Sequence, residues 1–182
     1  MFDFEPIRKH FPLHGEMVEL RLFSEDHIQD KYIRWLNDPE VVRYSNQRFK
    51  SHDYGSCLAY LKSFQDTGNI FIAVHMKHSE LFVGTMTAYF STPHKTVDLG
   101  ILIGEKAFWG KGIGLEAWGI LMSFLLDTNK VRKVTGGALR CNLGMVNIMM
   151  KSGMQPDGVR IAHELVDDTP QDILYFARFK DV

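Results

Sequence analysis

The sequence predicts one α+β domain, built on a mixed, mostly antiparallel sheet of about seven strands that is flanked by about four helices. Three observations carry this prediction. The chain has 182 residues, a length usual for a single domain. Hydrophobic residues make up 45% of it and charged residues 24%, as in ordinary globular proteins. Its strand-like and helix-like segments follow one another without a linker or repeat, so residues 1–182 form one domain with its core at about 17–179.

The amino-terminal part predicts one strand and two helices. Residues 17–23 alternate apolar and charged side chains, which is the period of a half-buried strand. Residues 28–36 place apolar side chains at helical spacing, and Pro39 ends this helix because proline disfavours helical backbone in the residue before it. A second helix is predicted over residues 51–64, begun by Ser51 or Asp53.

Three strands are predicted next, at residues 70–75, 81–90 and 96–103. The loop at 76–80 is short enough to make the first two an antiparallel hairpin, and residues 91–94 form the next turn. In the third strand, odd-numbered residues from Val97 to Ile103 share one face, and Asp98, Gly100 and Leu102 share the other.

The remaining third of the chain adds two helices and three strands. Residues 113–127 are apolar nearly all round, which is typical of a buried helix. The other elements predicted are a strand at 133–139, a helix at 142–151 closed by Gly153, a turn at 155–158, and strands at 160–166 and 173–179.

Charge and cysteine content exclude several classes of function. The formal net charge is -1 and no run of five like charges occurs, so a nucleic-acid partner is not expected. Cys57 and Cys141 lie far apart, which suits a reduced, intracellular protein. The first residues lack the apolar core of a signal peptide, and nothing approaches a membrane span of about 20 apolar residues. We expect a cytoplasmic protein without a membrane partner.

A glycine-rich segment, Trp109-Gly-Lys-Gly-Ile-Gly114, lies between a predicted strand and a predicted helix. Backbone N–H groups at the start of a helix can bind an anion, and glycines let the backbone approach a pyrophosphate closely. The segment lacks the Ser or Thr of a Walker loop, and its GxGxG differs from the dinucleotide fingerprint GxGxxG. On this reasoning alone, a phosphate-binding loop and a tight strand-to-helix turn both remain open.

Three stretches together resemble the GNAT superfamily of acetyltransferases, in particular its branch of ribosomal-protein N-terminal acetylases (RimJ/RimL-like). Residues 98–104 resemble the family's fourth strand, residues 108–117 its pyrophosphate loop, and residues 142–154 its late helix, which begins with asparagine. Trp109 stands where many members have glutamine or arginine, as in other members of this branch, and Met154 replaces a closing aromatic residue. Met149 occupies the position of a tyrosine that protonates the leaving thiolate in many members.

The resemblance implies acetyl-CoA as cofactor and acetyl donor; no metal is expected. It places the backbone of Leu102, Ile103 and Gly104 near the pantetheine and thioester, and Asn142 with Lys151 on the cofactor's other flank. The residues implied to hold the pyrophosphate are Trp109, Gly110, Lys111, Gly112, Ile113 and Gly114. Lys111 would add charge to the phosphates or would be an ordinary solvated lysine.

Acetyl transfer to an amine needs a group that accepts the amine's proton, because free amines of pKa about 10 are mostly protonated at neutral pH. Asp98, His94 and Glu105 lie on or beside the third strand and are the candidate catalytic residues, in that order. Since Met149 has no proton to give, the proton for the thiolate would come from the ammonium, from water, or from a hydroxyl such as that of Tyr89 or Ser91.

The acceptor stays open among a small-molecule amine, such as an amino sugar or a polyamine, and a protein N-terminus. Four carboxylates near the end of the chain could attract a cationic amine or form a solvated turn: Glu164, Asp167, Asp168 and Asp172. Two other functions remain open, a non-catalytic acyl-CoA-binding module and a nucleotide-dependent oxidoreductase. Late strand edges permit a homodimer. A zinc site at His75 and His78 is not expected, because no third ligand lies nearby.

Overall fold

The computed structural model describes residues 5–65, 67–128 and 130–180. The helices in these residues are α1 (Glu5–Arg8), α2 (Asp30–Asn37), α3 (Tyr54–Lys62), α4 (Ile113–Asp127) and α5 (Leu143–Lys151). The strands are β1 (Leu13–His14), β2 (Val18–Leu22), β3 (Ile70–Met76), β4 (Phe82–Ser91), β5 (Thr96–Ile103), β6 (Lys133–Leu139), β7 (Gln155–Val166) and β8 (Thr169–Phe179). The predicted α+β class and the predicted order of the longer elements are confirmed.

The eight strands form one sheet in the order β1-β2-β3-β4-β5-β6-β8-β7. Every neighbouring pair is antiparallel except β5 and β6, which are parallel. The crossover between those two strands is α4, as parallel strands require. The extra strand relative to the prediction is β1, whose two residues are too short to show a period.

The predicted turn before the last two strands was wrong. Residues 155–158, predicted as a turn, form the start of β7, where Gln155 pairs with Ala177 and Pro156 with Phe176. Proline is tolerated there because β7 is an edge strand, and its outward backbone positions need no hydrogen-bond partner. The first long helix also begins later than predicted, at Asp30, because Ser24 caps a short 3₁₀ turn instead.

The sheet separates two apolar clusters. One face packs against α4 and α5, with Trp118 and Leu121 fully buried at its centre. Gly136 on β6 makes room for this packing, since a Cβ there would lie 2.9 Å from the Trp118 ring. The other face packs against α2 and α3 through an aromatic group that includes Phe71 and Phe82. No helix within the described ranges is long and apolar enough to span a membrane.

Candidate active site

The parallel strands β5 and β6 pair over a short distance only. Their matched positions are Thr96 with Lys133, Val97 with Val134, and Asp98 with Thr135. Beyond Asp98, β5 continues to Ile103, and no strand in the described residues pairs with it on that side. The strands therefore part at Asp98, and the edge of β5 that follows has backbone groups available for a ligand.

Alternation along β5 decides which backbone groups face this opening. The N–H of Gly104 donates to the Val83 carbonyl at 3.0 Å, so Gly104 and the alternate residue Leu102 direct their backbone groups to β4. Leu99, Ile101 and Ile103 direct theirs to the opening. Of the three residues predicted to contact the pantetheine through their backbone, only Ile103 is so oriented, because sequence reasoning took no account of pairing with β4.

The glycine segment forms the turn into α4. Gly110 and Gly112 have φ of 71° and 84°, in the left-handed region that favours glycine, and Gly112 is the N-cap of α4. Gly114 serves close packing instead, because a Cβ there would lie 3.0 Å from Ile148 of α5. The N–H groups of Gly110, Gly112, Ile113 and Gly114 have no acceptor among the described residues. Four donors are thus free at the positive end of a helix dipole.

Trp109 and Lys111 flank these donors differently. The Trp109 indole N–H donates to the Ile103 carbonyl at 2.7 Å, which joins the glycine segment to the open edge of β5. Lys111 is exposed, and its Nζ lies 5.7 Å from the Phe108 ring. The free N–H donors and the open strand edge are therefore adjacent parts of one surface.

Asn142 and Lys151, predicted to lie together, are at opposite ends of α5. Asn142 is the N-cap and accepts a hydrogen bond from the Met145 N–H at 3.2 Å, whereas Lys151 is the last helical residue. Nine helical residues span about 13 Å. Because Asn142 follows the open end of β6, it alone lies at the mouth of the opening.

Asp98 lies where β5 and β6 part. Its Oδ2 accepts a hydrogen bond from the Thr135 hydroxyl at 2.7 Å. Solvent reaches the carboxyl, yet it lies in a recess with protein on most sides, and this loss of solvation raises its pKa above the usual value. The hydrogen bond from Thr135 acts in the opposite direction and only partly offsets the increase in pKa.

The other two candidate bases lie elsewhere. His94 is in the turn before β5, on the side where the strands remain paired, and its carbonyl accepts from Arg132 Nε at 2.8 Å. Glu105 lies beyond Ile103, which is about 17 Å farther along β5 than Asp98. Its carboxylate is 3.6 Å from Lys31 Nζ. The structure brings neither residue to the point of strand separation.

Tyr89 is the residue of β4 paired with Asp98, so their side chains share one face of the sheet. Its hydroxyl is 2.7 Å from the hydroxyl of Tyr60 on α3. Burial is the main reason that the pKa of Tyr60 is raised. Ser91 pairs with Thr96, two residues farther toward the closed side. Among the hydroxyl-bearing residues of β4, Tyr89 is therefore the one directly opposite Asp98.

Two cavities open on this face of the sheet. The larger, of about 410 Å³, lies between β3–β5, α3 and the segment 45–52; the smaller, of about 250 Å³, contains Asp98 and Glu164. Gly100 on the floor of the larger is two residues from Asp98 on the same face, so the floors adjoin. Residues 44–47 line both, with Tyr44 and Asn46 toward the smaller cavity and Ser45 and Gln47 toward the larger.

Side chains of residues 43–48 contact the β7–β8 hairpin across this cleft. Arg43 forms an ion pair with Asp167 at 3.0 Å. Arg48 lies 3.6 Å from the Glu164 carboxylate and donates to the Leu165 carbonyl at 3.0 Å. The cleft is thus covered by two segments distant in sequence.

A free strand edge beside a glycine-rich helix start agrees with the family resemblance. The sequence matches the family described as an acetyltransferase (GNAT) domain over residues 18–155. The chain belongs to the GNAT acetyltransferase family. The match includes β5, the glycine segment and α5 of this GNAT domain, so the predicted family is confirmed.

Solved structures share the GNAT fold at low sequence identity. A GNAT-family acetyltransferase from Bacillus anthracis has a TM-score of 0.78 at 15% identity, covering 92% of this chain and 98% of that one. Spermidine N-acetyltransferase from Vibrio cholerae, in complex with CoA and spermine, has 0.79 at 12%, covering 91% and 97%. An acetyltransferase from Salmonella typhimurium that modifies the N-terminal serine of a ribosomal subunit protein has 0.77 at 14%, covering 92% and 97%. No curated protein sequence matches this chain.

Some residues of this GNAT site were missed by sequence reasoning. Thr135 and Tyr60 contact Asp98 and Tyr89 only through the register of β6 and the position of α3. Met149 is fully buried in the core and so takes no place in the open cleft. His75, considered for a metal site, has its Nε2 3.1 Å from Nε2 of His27.

Proposed function

We propose that this protein transfers an acetyl group from acetyl-CoA to a primary amine, with Asp98 as the general base. The observation that carries the proposal is the order of features along one surface: free N–H donors at the start of α4, the open edge of β5, and a carboxylate where the strands part. The complex of the Vibrio cholerae neighbour with CoA and spermine supports the choice of donor and of an amine acceptor.

The residues present fit the donor's pyrophosphate. In the proposal, the N–H groups of Gly110, Gly112, Ile113 and Gly114 bind its oxygens, and Lys111 adds a positive charge at the rim. The open backbone groups of Leu99, Ile101 and Ile103 hold the pantetheine arm. Because the Trp109 indole N–H already donates to the Ile103 carbonyl, Ile103 contributes its N–H.

When bound, acetyl-CoA supplies an acetyl thioester; the acceptor nitrogen bonds to the acetyl carbon as the carbon–sulfur bond breaks. Asp98 accepts the proton that the attacking nitrogen loses, which its raised pKa favours. An N–H of the open β5 edge, that of Leu99 or Ile101, polarises the acetyl carbonyl. Tyr89 donates a proton to the leaving sulfur, and Tyr60 holds the Tyr89 hydroxyl in place.

A second candidate is a non-catalytic acyl-CoA-binding module, which Met149 favours because it replaces the hydroxyl of other family members. Amine-dependent thiol release separates the two. The purified protein is incubated with acetyl-CoA and a panel of amino sugars, polyamines, amino acids and short peptides. Release of thiol that depends on the amine supports the transferase; stabilisation by acetyl-CoA with no release from any amine supports the module. A ligand at 100 times its dissociation constant stabilises by about 2.7 kcal/mol.

We place the protein in the cytoplasm, with a small-molecule amine or a protein N-terminus as acceptor. The long exposed edge of β7 is the surface for a homodimer, and its exposed Val159 and Ile161 support that choice. Light scattering of the wild type and of Ile161→Lys tests the dimer, which the substitution should dissociate.

A further inference from the structure

We infer that the acceptor is a small primary amine that also carries an anionic group, and that this group binds in the larger cavity beside Lys50 and His52. The inference rests on the proposed function, because it takes Asp98 as the place of the reacting amine. It is carried by the separation of charge between the two adjoining cavities.

The smaller cavity is the acidic one. Asp98 and Glu164 line it together with Tyr44, Asn46 and Tyr175. Glu164 is balanced by Arg48 at 3.6 Å, whereas in the described part of the chain the Asp98 carboxyl has only the neutral hydroxyl of Thr135 as a partner. A cationic or neutral amine is thus directed to Asp98.

The larger cavity has the opposite character. None of its lining residues is Asp or Glu, while Lys50 and His52 line it with hydroxyls that include Ser51, Ser56 and Thr87. Residues 43–52 contain three Arg or Lys side chains, and two of these, Arg43 and Arg48, are paired with carboxylates. Lys50 has no carboxylate within ion-pair distance among the described side chains, which are those of residues 7–65, 67–128 and 130–180. Its positive charge is therefore not neutralised by the protein.

The main chain of His52 is held in place by hydrogen bonds at this wall. The Asn37 side chain accepts from its N–H at 2.9 Å and donates to its carbonyl at 2.7 Å. Its ring Nε2 is buried and has no hydrogen-bond partner in the described part of the chain. A buried polar group without a partner is costly, and a bound carboxylate or phosphate could remove that cost by accepting a hydrogen bond from Nε2.

A polyamine fits this arrangement poorly. With one amine at Asp98, its second ammonium would lie beside Lys50 in a cavity without a lining carboxylate, and like charges repel. An amino acid or an aminoalkyl phosphate instead places opposite charges at the two ends. The volume of about 410 Å³ leaves room for a short chain between them.

The test compares matched acceptors in protein saturated with CoA. A series of ω-amino acids is titrated beside alkylamines and diamines of equal chain length, and aminoalkyl phosphates form a separate arm that distinguishes carboxylate from phosphate. At the chain length that binds best, the compound with the anionic group should bind at least about tenfold more tightly than the alkylamine and the diamine of that length. Equal or tighter binding of the diamine, or no binding in any set, overturns the inference.

Charge reversal at Lys50 gives the second readout. Lys50→Glu should abolish the preference for the anionic member and improve binding of the diamine. Lys62→Glu is the matched control, because Lys62 is exposed at the end of α3 and lines neither cavity. Equal effects of the two variants overturn the inference. Anion-selective binding without thiol release leaves the inference standing and removes the proposed transferase activity.

Discussion

Asp98 combines two properties that a general base needs, accessibility and a raised pKa. Crowding by protein raises the pKa, and the hydroxyl of Thr135 keeps the carboxyl oriented. Because the folded pKa lies above the unfolded one, ionising Asp98 lowers the free energy of unfolding as pH rises through that interval. An ionised carboxylate at this position therefore lowers the stability of the folded protein.

Asp98→Asn should lower kcat by about 100-fold to 10,000-fold while leaving the affinity for acetyl-CoA nearly unchanged. Asparagine still accepts a hydrogen bond from Thr135 but takes no proton. In the wild type, activity should fall as pH drops through the raised pKa of Asp98, and residual activity of the variant should lack this dependence. Steady-state kinetics against pH provide the measurement. His94→Asn and Glu105→Gln are the controls; a loss in either as large as that in Asp98→Asn contradicts the assignment.

Tyr89→Phe should lower kcat by about tenfold or more, because it removes the proposed donor to sulfur. It also removes the partner of the half-buried Tyr60 hydroxyl, so the free energy of unfolding should fall by about 0.5–1.5 kcal/mol. Tyr60→Phe is the comparison, since the Tyr89 hydroxyl is more exposed and can bind water. Kinetics and denaturant unfolding on both variants are the measurements. If kcat is unchanged in Tyr89→Phe, the proton for the leaving sulfur comes from another source.

At the scale of elements, α4 contributes both to the stability of the fold and to the proposed binding of CoA. Its first turn carries the free donors, and its middle is buried against both the sheet and α5. Gly119 lies in the helix interior where an added Cβ would meet nothing within 4 Å, whereas Gly112 has a φ of 84°. The glycine at the N-cap is thus required by its backbone conformation, whereas the glycine inside α4 is not.

Gly119→Ala should raise the free energy of unfolding by about 0.5–1 kcal/mol without changing CoA affinity, because alanine is the better helix former. Gly112→Ala should lower it by about 1 kcal/mol and weaken CoA binding, since the left-handed N-cap positions the donors. Chemical denaturation and CoA titration check both. Tight CoA binding by Gly112→Ala would contradict the role of this turn.

Sequence reasoning located the elements well because most of them carry their own signal. The buried character of α4 and the alternation in β2 follow from the period of apolar residues. The edge position of β7 has no such signal, and it is what permits Pro156 inside a strand. The backbone orientation of Leu102 and Gly104 depends on pairing with β4, which a linear pattern does not show.

At the scale of the whole molecule, the site exists because the sheet is interrupted. Continuous pairing of β5 with β6 would leave no open backbone groups and no recess at Asp98. In the proposed arrangement the donor binds on the side of α4 and α5, and the larger cavity, on the side of α3, receives the acceptor. The sequence alone pointed to the glycine segment and Asp98 as candidates, but the division of charge between the two cavities arises from residues far apart in sequence.

Hydrogen exchange with and without acetyl-CoA tests this arrangement most directly, because it reports protection of individual backbone segments. Acetyl-CoA should slow exchange in residues 99–103 and 110–115, and should leave β3, which is paired on both sides, nearly unchanged. Binding of acetyl-CoA with no added protection in these two segments, or with protection confined to another part of the sheet, would contradict the account.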